Sequence, residues 1–140
     1  MGERTIKGQT AIVGIGETQY FKRAQAPEPE FAMCLEAILA ATEDAGLDVS
    51  DLDGFASYSN DRNEPSRIAS ALGLPELRFS NMVWGGGGGG GSAAVGNAAA
   101  AVAAGYADHV VVFRALAQGQ FGRFGQAPPL PTISGPMAYT

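Results

Sequence analysis

Phe79-Ser80-Asn81-Met82-Val83-Trp84, then Gly85 to Gly91, then Ser92 and an alanine-rich run to Ala104: this stretch decides how the chain is read. The run ending at Trp84 has strand character. Seven consecutive glycines make a turn of backbone alone, and the alanines that follow suit a helix. Glycine lets a ligand or another backbone come close because it has no Cβ, and each one costs chain entropy on ordering. Gly-rich composition more often marks a flexible linker. Here the tract joins a strand signal directly to a helix signal, with no serine-rich or charged spacer. That favours a turn built into a fold.

The same alternation continues on both sides. Downstream, Gly105 stops the alanine helix and His109-Val110-Val111-Val112-Phe113 reads as a strand. Upstream, Pro65 at a first helical position opens a helix to Leu72, stopped by Gly73, and Gly54-Phe55-Ala56-Ser57-Tyr58 reads as a short strand. Phe31, Leu35, Ile38, Leu39 and Ala41 recur at helical spacing between Pro29 and Ala45, with Glu28 and Glu30 at the start and Gly46 as the stop. Thr10-Ala11-Ile12-Val13-Gly14-Ile15-Gly16 is a continuous apolar run expected to be a buried central strand. Strands alternating with helices predict the α/β class, with a mostly parallel sheet and helices on both faces. Four strands without a helix after the last make half a domain. Residues 1–140 are therefore expected to be an incomplete domain, either a fragment or completed by other polypeptide.

Composition narrows the function classes. A net charge of −5 with no basic patch argues against nucleic acid. No run has the length of a membrane span, and Gly2-Glu3-Arg4 is not a signal peptide. One cysteine excludes an internal disulfide and suits the cytoplasm, and a single histidine disfavours a metal site. Only 16% of residues are charged, which suggests much surface covered by something else.

Two nucleotide motifs fail on inspection. Gly14-Ile15-Gly16-Glu17-Thr18-Gln19 lacks the third glycine of a dinucleotide fingerprint, and no helix follows it; Gly14 and Gly16 suit close packing. The Gly86–Ser92 stretch imitates a P-loop but has no lysine before the serine. Cys34 lies inside a helix with nothing nearby in sequence to lower its pKa, so it reads as a small core hydrophobe. His109 reads as a strand-edge residue. Arg114, Phe121, Arg123 and Phe124 fall in an aperiodic stretch suited to meeting a ligand or another subunit.

The ordered landmarks Ala11–Thr18, Ala45-Gly46-Leu47, Leu52–Phe55, Ile68–Leu74 and Ala103–Val110 resemble the N-terminal portion of the thiolase superfamily. The branch is that of sterol-carrier-protein-X and the lipid-transfer proteins. The resemblance implies part of a five-layer αβαβα architecture with a mixed, mostly parallel sheet. It also implies a nucleophilic cysteine in the turn between the Phe79–Trp84 strand and the following helix, where macrodipole and free N–H groups stabilise a thiolate. Counting back from Gly105 puts that position at Gly88, with the pattern's later glycine and next residue at Gly91 and Ser92. No residue from 85 to 92 is cysteine, so covalent acyl transfer through this turn is excluded.

Members of the branch without the cysteine resemble steroid side-chain aldolases, which cleave a β-hydroxyacyl-CoA by retro-aldol chemistry. The helix start can still favour an enolate oxygen, with Gly88, Gly91 and Ser92 as expected substrate-binding positions. The resemblance puts the catalytic base in the C-terminal half; Tyr58, Tyr106 and Tyr139 are available in this chain. The alternative is a non-catalytic thiolase-like protein that binds lipid or acyl-CoA, and a true acyltransferase is the weakest reading. No cofactor is expected, coenzyme A entering only as part of the substrate. The resemblance further implies a homodimer through the Asn81–Trp84 strand and the next helix, and a small zinc-ribbon, OB-fold acyl-CoA-binding partner.

Overall fold

The computed structural model describes residues 5–58, 61–84 and 87–121. Its elements are α1 (Glu30–Asp44), β1 (Gly54–Tyr58), α2 (Pro65–Leu72), β2 (Phe79–Val83), α3 (Gly90–Ala103) and β3 (Val110–Val112). The three strands form one parallel sheet in the order β2-β1-β3. Gly54 is opposite both Phe79 and Val110, and Tyr58 is opposite Val83.

Alternation along β1 sends successive side chains to opposite layers. Phe55 packs with Cys34 and Ile38 of α1 and Ile68 of α2, while Ala56 packs with Ala94 and Ala98 of α3. Phe55, Ile38 and Ile68 are buried, and each contributes roughly 1.5–3 kcal/mol by leaving water. The expected helices on both faces are thus present, in an α/β/α stack. All three helix stops are of one kind. Gly46, Gly73 and Gly105 have φ of 68°, 68° and 76°. Each motif closes with paired bonds, as in Leu47 N–H to Thr42 O at 3.1 Å and Gly46 N–H to Glu43 O at 3.0 Å.

Asp53, just ahead of β1, ties the strands together where they begin. Its carboxylate accepts from the N–H groups of Asp108 (2.9 Å) and His109 (2.9 Å) and from Arg78 Nη1 (3.0 Å). Its backbone oxygen accepts from Arg78 N at 2.8 Å and Phe79 N at 3.2 Å. The chain entering β2 and the chain entering β3 are therefore both registered on one residue. His109 belongs to this structural end, with Nδ1 3.1 Å from the Asp51 oxygen, and β3 starts one residue after it.

Thr10–Gly16 departs from expectation, because it is not in the sheet. Ile12 and Ile15 are 74% and 76% exposed. The glycines explain the placement. A Cβ at Gly14 would strike Ala41 O and lie 2.8 Å from Ala45 Cβ, and one at Gly16 would strike Ala37 O and Ala41 N. The segment thus rests directly on α1, with Ile15 N–H donating to Asp44 Oδ2 at 2.9 Å. The close packing expected of these glycines is real, but against a helix. A cavity of about 1170 Å³ separates the segment from β3.

Cys34 is buried among Phe55 and Ile38, and burial, with the charges of Asp61 and Glu30 added, pushes its thiol up from 9.0 to about 12. The sign follows: stability from keeping the thiol neutral is complete below 9.0 and is lost as pH rises toward about 12. We predict that Cys34 in the folded protein resists iodoacetamide at pH 8 and reacts on denaturation; equal rates in both states would refute the burial. Asp53→Ala should lower unfolding free energy by about 2–4 kcal/mol in a denaturant titration, because it leaves the N–H groups of Asp108 and His109 without their acceptor, although Arg78 keeps its bond to Asp108.

Candidate functional site

The strand ends carrying Tyr58, Val83 and Val112 face the same way, as parallel pairing requires, and ligands in open α/β sheets bind at that edge. The glycine tract arrives there. Gly87–Gly89 form a short 3-10 turn, and α3 starts at Gly90, three residues earlier than the alanines alone suggest. The difference has a physical cause. Glycine is a poor helix former, but tertiary packing against β1 sets the start of α3. No side chain caps α3, so the first-turn N–H groups are not satisfied by a side chain.

Gly88 lies in the 3-10 turn, Gly91 is the second residue of α3, and Ser92 is the third and exposed. The fold therefore keeps the expected binding positions together at one helix start. Gly90 has a specific reason to lack a side chain: a Cβ there would lie 2.6 Å from Cδ2 of Tyr58. At Gly88 and Gly89 a Cβ would meet nothing within 4 Å.

The tyrosines separate cleanly. Tyr58 ends β1 and packs beside α3. Tyr106 is exposed past the opposite end of α3. Tyr139, together with Arg123 and Phe124, lies outside the described residues, as do Gly85 and Gly86.

Past the end of β3, two buried carboxylates take the place of a strand partner among the described residues. Phe113 N–H still donates to Ala56 O at 3.0 Å. Ala115 N–H then donates to Asp61 Oδ2 at 3.1 Å, and Ala117 N–H to Glu30 Oε2 at 2.7 Å. Each carboxylate also holds an arginine, Arg114 on Asp61 at 3.0 Å and Arg62 on Glu30 at 3.1 Å. Arg114 thereby sits 5.6 Å from the centre of the Tyr58 ring, and Arg62 stacks over Phe121 at 4.1 Å. In sequence Glu30 suits a helix dipole and Asp61 an ordinary polar loop. Their clamp role was not readable, because the N–H groups they satisfy lie more than 50 positions away. Among the described residues no cluster of three or more His, Cys, Asp or Glu could hold a metal, and no helix is long and apolar enough to cross a membrane.

No protein-family model matches the chain. Among curated proteins it is 42% identical over 122 residues to the 17-hydroxy-3-oxo-4-pregnene-20-carboxyl-CoA lyase of Mycobacterium tuberculosis, covering 86% of this chain and 31% of that protein. It is 40% identical over 120 residues to the steroid side-chain-cleaving aldolase of Thermomonospora curvata, covering 86% of this chain and 30% of that protein. The chain thus spans about three-tenths of the length of the curated relatives it matches. Of solved structures, the Ltp2-ChsH2(DUF35) aldolase superposes with a TM-score of 0.73 at 37% identity, over 84% of this chain and 30% of that one. The priming β-ketosynthase of the R1128 polyketide pathway superposes at 0.53 with 26% identity, over 65% of this chain and 28% of that one. This chain, with its parallel sheet feeding a helix through a glycine tract, is a homologue of the steroid side-chain-cleaving aldolases and has a thiolase-like fold.

Proposed function

We propose that the chain is part of an aldolase that cleaves a β-hydroxyacyl-CoA, with a steroid side chain as the acyl group, without a covalent intermediate. The observation that carries the reading is the start of α3: an uncapped helix N-terminus at the ligand-binding edge of the sheet, with no thiol in the turn that leads to it. In this chemistry a base takes the β-hydroxyl proton and the Cα–Cβ bond breaks. A ketone or aldehyde leaves, and the bonding pair moves to the thioester as an enolate that is then protonated at Cα. The products are the carbonyl compound and a shorter acyl-CoA. The helix N-terminus suits the enolate oxygen, where negative charge gathers as that bond breaks. Gly88, Gly91 and Ser92 remain the binding positions, with Gly88 where an acyltransferase would carry its nucleophile. No cofactor beyond the coenzyme A of the substrate is required, and the unpaired Cys34 agrees with a cytoplasmic setting.

We further infer that the domain is completed by polypeptide beyond this chain. The large cavity beside β3 and the exposed Ile12 and Ile15 support this, as does the threefold greater length of the relatives. A homodimer through β2 and α3 is supported by the open outer edge of β2 among the described residues, and by the side-chain bond from Asn97 Nδ2 to Asn81 Oδ1 at 2.8 Å, which unites the two elements. A small acyl-CoA-binding partner is supported by the two-component name of the Ltp2-ChsH2 relative.

In the active assembly, a steroid β-hydroxyacyl-CoA should yield a carbonyl product and a shorter acyl-CoA without added CoA, and iodoacetamide should leave the rate unchanged. Binding without turnover would favour the non-catalytic acyl-CoA-binding alternative, and dependence on free CoA would restore an acyltransferase. Ala100→Glu, on the exposed side of α3, should shift the protein from dimer to monomer in light scattering; an unchanged mass would remove this interface.

A further inference from the structure

Tyr58 carries a group that the packing of the described residues does not use. Its ring lies along the first turn of α3, close enough that only glycine fits at position 90. A Cβ at Gly91 would be 3.8 Å from its hydroxyl oxygen, an ordinary contact. Among the described residues that hydroxyl makes no hydrogen bond. The ring's position is set on the Arg114 side as well, by a guanidinium fixed at 3.0 Å to Asp61, whose side chain is 0% exposed. The residue is partly exposed, so its O–H, which both donates and accepts, is open to a group arriving from outside the described residues.

The glycines around it fall into two groups. Gly90 is explained internally, by the Tyr58 ring. Gly88 and Gly89 are not, because a Cβ at either would meet nothing within 4 Å and Gly89 has φ −90°, open to any residue. Leaving them bare therefore serves something outside the described residues, in the open space beside the start of α3.

We propose that Tyr58 contacts the substrate, its hydroxyl donating a hydrogen bond to the thioester carbonyl oxygen of an acyl-CoA held at the first turn of α3. The inference rests on the acyl-CoA reading above. It adds a side-chain donor to a site otherwise made of backbone. That donor and the helix N–H groups would serve one oxygen, which gains charge as the Cα–Cβ bond breaks. Arg114, through Asp61, acts on the ring's position and not on the substrate.

Tyr58→Phe keeps the ring over Gly90 and removes only the hydroxyl. In the active assembly, titration with 17-hydroxy-3-oxo-4-pregnene-20-carboxyl-CoA should show affinity falling roughly three- to tenfold, the effect of one lost neutral hydrogen bond. The fall in kcat should be larger, with the thermal midpoint unchanged. Gly88→Val puts bulk into the open space, its Cβ meeting no described atom within 4 Å, and should weaken binding at least as much. Wild-type affinity and kcat in Tyr58→Phe would overturn the role of Tyr58 while leaving the acyl-CoA reading standing. Wild-type affinity in Gly88→Val would show that the ligand does not occupy this space, and would overturn it equally. A wild-type protein that neither binds nor turns over the thioester would remove the acyl-CoA reading, and this proposal with it.

Discussion

The carboxylate of Asp53 is the interaction on which the geometry of this molecule depends. One residue accepts from both the chain entering β3 and the arginine beside β2, while its backbone serves the first N–H groups of β2. Three parallel strands have no hairpin to set their register. A buried carboxylate with several donors sets it instead, because slipping either neighbour would leave a charge without partners in a low-dielectric place. The consequence appears at the other end of β1. With Gly54 opposite Phe79 and Val110, Tyr58 must finish level with Val83 and beside the start of α3.

That far end is organised by a second pair of carboxylates. Beyond Phe113, whose N–H still reaches Ala56 O, β1 supplies no further carbonyls to the chain among the described residues. Asp61 and Glu30 provide the acceptors, and each brings an arginine that neutralises it. Removing one carboxylate would strand a backbone N–H, which is why such groups act as fixed joints. Asp61 also anchors Arg114 near Tyr58.

Between these two ends the glycine tract acquires a divided meaning. Gly90 is small because an aromatic ring occupies the place of its side chain, whereas Gly88 and Gly89 face open space. A helix start without a side-chain cap, at the carboxyl edge of the sheet, suits an oxyanion, and the turn that leads to it holds no thiol. The curated relatives that the chain resembles are named as a steroid-CoA lyase and a steroid side-chain-cleaving aldolase.

The sequence by itself determined which segments become helices, where Gly46, Gly73 and Gly105 stop them, and three of the strands, because periodicity and turn residues act within a few positions. It also determined that the turn holds no cysteine, and therefore what chemistry the turn cannot do. Tertiary structure alone decided the rest. An apolar run such as Thr10–Gly16 satisfies strand statistics equally well in a sheet or laid on a helix, and only close approach to Ala37 and Ala41 chose the helix. Helix statistics start α3 at the alanines, but packing carried it back to Gly90. Tyr58 looked no different from Tyr106 in the sequence, and Glu30 and Asp61 looked like ordinary surface acids. Their roles come from contacts between positions far apart in the chain, and local sequence carries no record of which distant partners the fold will bring near.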